Sequence, residues 1–192
     1  IGLSKRICYR HQPAENFMVG SIGEPGDRQF FIQITSGVGT NTVAVSKNQL
    51  IALVERFDEL IREIKRKKLA SETVINSPHE LINESLEYPV EEDFHAGVMG
   101  ITWESDIERV SLEIQEYSEL EEFSDLIQID ADTGDLDFPP DILQADITLG
   151  QVKSFVSLAN RVIDAGREIC PFCGLPIDVA GHLCPRANGY KR

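Results

Sequence analysis

The sequence predicts an α+β fold: two similar β-β-β-α units forming largely antiparallel sheet with helices on one face, plus a small C-terminal zinc knuckle. Three observations predict it. The segment Phe17-Met-Val-Gly20-Ser-Ile-Gly23 has a partner in Phe94-His-Ala-Gly97-Val-Met-Gly100. Each half closes on an apolar strand that runs into Ser/Thr-x-x-Gln, a box that satisfies the amides opening a helix. The chain then ends in four metal-type side chains, Cys170, Cys173, His182 and Cys184. The implied division is a body over 1–168 and a tail over 169–192. Within the body lie units at about 5–68 and 92–168, joined by a linker at 69–91.

In the first unit the strand at Phe17–Gly23 is followed by a polar turn, Glu24-Pro-Gly-Asp27, and an apolar-rich strand, Gln29–Ile34. Thr42–Val45 is the third strand and enters a helix at Ser46-Lys-Asn-Gln49. Leu50, Leu53, Val54, Phe57, Leu60, Ile61 and Ile64 then recur at helical spacing. That helix ends in Arg62, Lys65, Arg66, Lys67 and Lys68, cations suited to the negative end of the helix dipole. Residues 67–92 read as a polar connector with a short helical turn near His79–Leu86. The second unit repeats the order. A turn at Glu104–Ile107 precedes a strand in which Val110, Leu112 and Ile114 alternate, the period of a half-buried strand. Leu143–Ile147 runs into Thr148-Leu-Gly-Gln151, and Val152, Phe155, Val156, Ala159, Val162 and Ile163 form the second helical stripe. The two units are expected to pack about a pseudo-twofold axis, since a lone three-stranded piece would be marginal. Between the second and third strands of this unit, Glu116–Asp141 is an acidic insertion that reads as a solvated loop.

A chain of 192 residues with 42% hydrophobic content can bury a core of its own. Its net charge of −14 argues against a general nucleic-acid or anionic-membrane surface, which relies on Lys and Arg. No apolar run approaches the ~18 residues of a membrane span. The N-terminus has neither a signal-peptide core nor a cleavage motif, so a cytoplasmic location is expected.

Three of the four cysteines fall in the tail, in a C-x2-C-x8-H-x-C pattern, and Cys8 stands apart. Two thiolates two residues apart can grip one ion from a tight turn, and a second turn can supply the remaining ligands. That is the chemistry of structural Zn2+. Four protein ligands leave no open position for a catalytic water. A redox Cys-x-x-Cys pair is the competing reading, but such a pair ordinarily sits between a strand and a helix. Other motifs fall short. Asp130-Ala-Asp132-Thr-Gly134 departs from the calcium-loop spacing, with glycine in the fifth position. His79-Glu80-Leu-Ile-Asn83 has Asn where a zinc protease needs its second histidine. No nucleophile elbow, phosphate loop or dinucleotide fingerprint occurs. His95 lies beside Glu91, Glu92 and Asp93 and, with Trp103, is the candidate for a pocket residue.

Three stretches together carry a resemblance: Gly20-Ser-Ile-Gly23-Glu-Pro-Gly26-Asp-Arg-Gln-Phe-Phe31, Phe94–Gly100, and Cys170-Pro-Phe-Cys-Gly-Leu-Pro with Gly181-His-Leu-Cys-Pro-Arg-Ala-Asn-Gly-Tyr190. The chain resembles an uncharacterised actinobacterial family, often labelled a conserved or "repeat" protein of unknown function. The resemblance covers nearly the whole chain and departs from the family in a longer acidic insertion near 119–141. It implies an intracellular, zinc-tailed protein with no established activity. It carries over Cys170, Cys173, His182 and Cys184 as ligands, and Arg186, Asn188, Gly189 and Tyr190 as a fixed signature.

The leading functional expectation is a non-enzymatic interaction or scaffold protein. The zinc tail would present Arg186, Asn188 and Tyr190 to a protein or phosphorylated partner, or the same residues would dock the tail on the body. An enzyme acting between the two units, near His95, Glu92 and Trp103, is the alternative. Nucleic-acid contact through the tail is a second one, ranked last because the body is acidic.

Overall fold

The computed structural model describes residues 6–24, 26–118, 140–165, 170–175, 177, 184 and 186. Seven strands and three helices are defined among them: β1 (Cys8–His11), β2 (Asn16–Ile22), β3 (Gln29–Ser36), β4 (Gly39–Val45), α1 (Lys47–Lys67), α2 (Glu72–Ile75), β5 (Phe94–Glu104), β6 (Arg109–Glu116), β7 (Ile142–Ile147) and α3 (Leu149–Asp164). The strand–strand–strand–helix order thus occurs twice, in an α+β fold.

All seven strands share one sheet, in the order β1-β7-β6-β5-β4-β3-β2. Each trio is an antiparallel meander. The trios join through a parallel β4–β5 pair with only Val43↔Phe94 and Ala44↔His95 in register. The strand β1 adds to β7 in parallel. Four residues of mixed burial, with no alternation to read, hid it from the sequence analysis.

That sheet must curl. A flat seven-stranded sheet would hold its edge strands about 29 Å apart. The link from β1 at one edge to β2 at the other is residues 12–15, which span at most about 18 Å fully extended. The linker is stitched to both sides of the closure: the Ala14 amide donates to Asp146 O (2.9 Å) and the Glu15 amide to Thr35 O (2.8 Å). The result is an open barrel rather than a flat layer.

Both capping boxes form as the sequence predicts. The Ser46 and Thr148 hydroxyls accept from the amides of Gln49 and Gln151, and each glutamine accepts from the cap amide in return. The glutamines also reach across the fold. Gln49 Nε2 donates to Ala96 O (2.8 Å) and Gly97 O (3.2 Å) on β5. Gln151 Nε2 donates to Ala14 O (3.2 Å) and Glu15 O (3.0 Å) before β2. Each helix start is thereby tied to the opposite trio. In the core, Phe17 of β2 stacks on Phe155 of α3 (centroids 4.1 Å apart), and Phe57 of α1 meets both edge-on.

The connector differs from its predicted form. The helical turn lies at Glu72–Ile75, capped by Ser71, and not near His79–Leu86. Amides that a helix at 79–86 would use are taken by distant groups: Glu80 N donates to Gly150 O (3.1 Å) and Ile82 N to Asn16 Oδ1 (3.4 Å). Nor is the segment simply polar, because Leu86 is buried and Gln33 exchanges hydrogen bonds with the Glu87 backbone. This strap covers the outer side of the first trio and explains why Phe30 to Ile34 are buried without a break. A close approach enforces Gly150 at the start of α3, where a Cβ would meet Pro78 O at 2.5 Å. The acidic residues 119–139, and with them the calcium-like Asp130–Asp135, lie outside the described residues; their stems are joined by Glu116 N to Asp141 O (2.8 Å) and Asp141 N to Glu116 Oε2 (2.9 Å).

Candidate functional site

The tail builds a thiol cluster from a tight turn. Cys170-Pro-Phe-Cys173 folds back so that Gly174 N donates to Cys170 O (2.9 Å) and Cys170 N to Leu175 O (2.8 Å). Gly174 sits at φ +73°, a left-handed conformation that glycine adopts without a side-chain clash. Cys184 joins them from farther along the chain. The Sγ atoms of Cys170, Cys173 and Cys184 all lie within 4.8 Å of one another, and Cys170 and Cys184 are buried. The Cys170 and Cys184 sulfurs are 3.8 Å apart, far beyond a disulfide of about 2.05 Å. Three converged free thiols of this kind could hold a metal ion.

The electrostatics of the cluster suit that chemistry. The backbone amides of Cys173 and Phe172 point at the Cys170 sulfur and bring its pKa down to about 6, so a thiolate is available near neutrality. Burial pushes the Cys173 thiol up, and the neighbouring sulfurs add to the effect. His182, Asn188 and Tyr190 lie outside the described residues. Arg186 is exposed, and its guanidinium donates to Phe172 O (3.3 Å) in the Cys170–Cys173 turn. Around this clasp, Phe172 is 66% exposed and Leu175 49%.

His95 lies elsewhere, at the seam of the two trios. Beyond Ala44 and His95 the short β4–β5 pairing ends, and β5 changes register between Ala96 and Met99. The strands part there, and Gln49 bridges the gap. The opening is a groove of about 540 Å³. Phe31, Ala44 and His95 are successive register partners across β3, β4 and β5, so their side chains form a row on one face of the sheet. His95 Nε2 is 3.8 Å from Glu92 Oε1, longer than a hydrogen bond. Trp103 is not part of this groove; its indole donates to Leu69 O (3.2 Å) after α1.

Sequence reasoning missed Arg28 and Lys47 on the groove wall, and it missed His11. His11 is completely buried between Ser36 Oγ (2.8 Å from Nδ1) and Asn41 Oδ1 (2.9 Å from Nε2). Spacing along the chain gave them no shared role, because they meet their neighbours through the folded sheet.

Residues 9–184 match the model of a family described as protein of unknown function (DUF3090). The matched span includes all three clustered cysteines, and the description names no activity or ligand. No curated protein and no solved structure matches the chain. Among the described residues no helix is long and apolar enough to cross a membrane.

Proposed function

The chain belongs to the DUF3090 family, and on that premise we propose a non-enzymatic interaction protein whose tail is held in shape by a structural Zn2+ ion. The observation that carries this reading is the convergence of the three tail thiols. A tetrahedral ion with Zn–S bonds of about 2.3 Å separates its sulfurs by about 3.8 Å, which is the Cys170–Cys184 spacing. His182, two residues before Cys184, is the proposed fourth ligand from its place in the sequence. With four protein ligands the ion has no open position and serves to fold a segment too short for a core.

The fixed tail would offer Phe172 and Leu175, both exposed, beside Arg186 to a protein or phosphorylated partner. Arg186 also braces the Cys170–Cys173 turn through Phe172 O, so its role combines support with display. A rigid apolar pair next to a guanidinium is an efficient contact surface, since little order is lost on binding.

Metal analysis of protein purified without chelator is expected to give one zinc per chain, lost in the Cys170→Ser/Cys173→Ser double variant. His182→Ala, which removes a proposed ligand, is expected to hold the ion more weakly. Metal-free protein that closes a Cys170–Cys173 disulfide under mild oxidant would instead establish the redox reading. A second reading, an enzyme at the seam, is supported by the groove beside His95 and Glu92. The thiol convergence is the more specific geometry, so the enzyme reading ranks below the interaction role.

A further inference from the structure

The seam groove lies apart from the thiol cluster, and its lining has a chemistry of its own. On the face of the Phe31–Ala44–His95 row its floor is apolar, from Phe31 and Ala44, while its rim carries Arg28 and Lys47. Arg28 Nε is buried and has no hydrogen-bond partner among the described residues. Arg28 and Lys47 also form no ion pair among those residues. A guanidinium cannot shed its proton, so a buried donor on it must find an acceptor or bear the cost of desolvation. The anomaly grows when set against the whole molecule, which carries a net charge of −14. In so acidic a protein, two cations without carboxylate partners at the edge of one groove are against the general trend. Glu92 is the acidic residue on the same lining, so the local balance favours an anion of low charge.

From these observations we infer that the groove is a binding site for a small aromatic anion. Its ring system lies over the Phe31–Ala44 row, and its carboxylate, sulfonate or phosphate group pairs with Arg28 and Lys47. The volume of about 540 Å³ lies within the range of small-ligand sites. The groove is open, since it arises where β4 and β5 part, and His95 stands exposed at its mouth. A guanidinium presents paired donors to the oxygens of such groups, which gives the site orientation as well as attraction.

A matched pair of fluorescent probes tests this on the full, metal-replete chain: 8-anilinonaphthalene-1-sulfonate, and N-phenyl-1-naphthylamine, which has the same rings without the sulfonate. The anion is expected to bind once per chain, more tightly than its neutral counterpart, and to shift the His95 ring resonances. Arg28→Gln should weaken the sulfonate about tenfold or more while leaving the neutral probe unchanged. Lys47→Gln should weaken it a few-fold, and it decides the matter if Arg28→Gln alters the unfolding midpoint. Equal binding of both probes, unsaturable binding, unmoved His95 resonances, or a sulfonate affinity indifferent to folded variants would overturn the inference. Because the thiol cluster takes no part, that failure would leave the zinc reading untouched.

Discussion

His11 has both ring nitrogens engaged, and the network fixes how. Asn41 Nδ2 donates to Asp93 Oδ2 (3.0 Å), so Asn41 turns its carbonyl oxygen toward His11 Nε2. That nitrogen therefore carries the proton, and Nδ1 accepts from the Ser36 hydroxyl. Burial lowers the His11 pKa below its ordinary 6.5, against weaker opposing effects from Asn41 and Asp93. The folded state keeps the ring neutral, whereas the unfolded chain takes up a proton near the ordinary value. The stability this supplies is full above about pH 6.5 and is lost as pH falls below it toward the folded value. The parent should lose more of its urea midpoint between pH 7.5 and 5.5 than His11→Gln does. Parallel pH profiles for the two would show that the ring stays neutral for another reason or contributes nothing. The residue was visible in the sequence as one of four histidines, but only the closed sheet engages both of its nitrogens.

The helices show how much an element can announce about itself. The Ser46–Gln49 and Thr148–Gln151 boxes, and the apolar stripes after them, were legible because capping and helical period are local properties. The second task of each glutamine was not. Gln151 is buried, and its amide serves two backbone carbonyls as well as its own cap, whereas Gln49 is half-buried. Gln151→Ala should cost about 2–3 kcal/mol, because the buried Ala14 carbonyl loses a donor and the capping box is broken together. Gln49→Ala should cost less, about 1–2 kcal/mol, because its bonds to Ala96 O and Gly97 O are only partly buried. Chemical denaturation measures both, and a cost no greater than about 1 kcal/mol for Gln151→Ala would mean that its bonds across the fold add nothing to the cap. The misplaced connector helix teaches the reverse lesson, since long-range acceptors at Gly150 and Asn16 outcompeted a local turn.

At the scale of the molecule, the curled sheet runs from Cys8 to Ile147 and the helices end at Asp164, before the first tail cysteine. Chelation of the metal-bound protein should therefore remove order from the tail alone. Far-UV circular dichroism and the main thermal transition are expected to stay nearly unchanged, while amide protection between residues 170 and 186 collapses. A main transition lowered by many degrees would mean that the tail supports the body, and would favour docking over display.

By itself the sequence determined the α+β class, most strands, both long helices with their starts, and the cysteines that gather in the tail. These follow from period, capping chemistry and ligand spacing, which act over a few residues. Only the tertiary structure decided that one sheet curls into an open barrel whose edges are bridged by residues 12–15. It also decided that β1 joins β7, that the connector straps the first trio, and that Trp103 stands away from His95. The same closure buries His11, and the parting of β4 from β5 places Arg28 and Lys47 on one groove. Strand pairing and burial are set between residues distant in the chain, where loop closure and packing outweigh local preference, so no local pattern could record them.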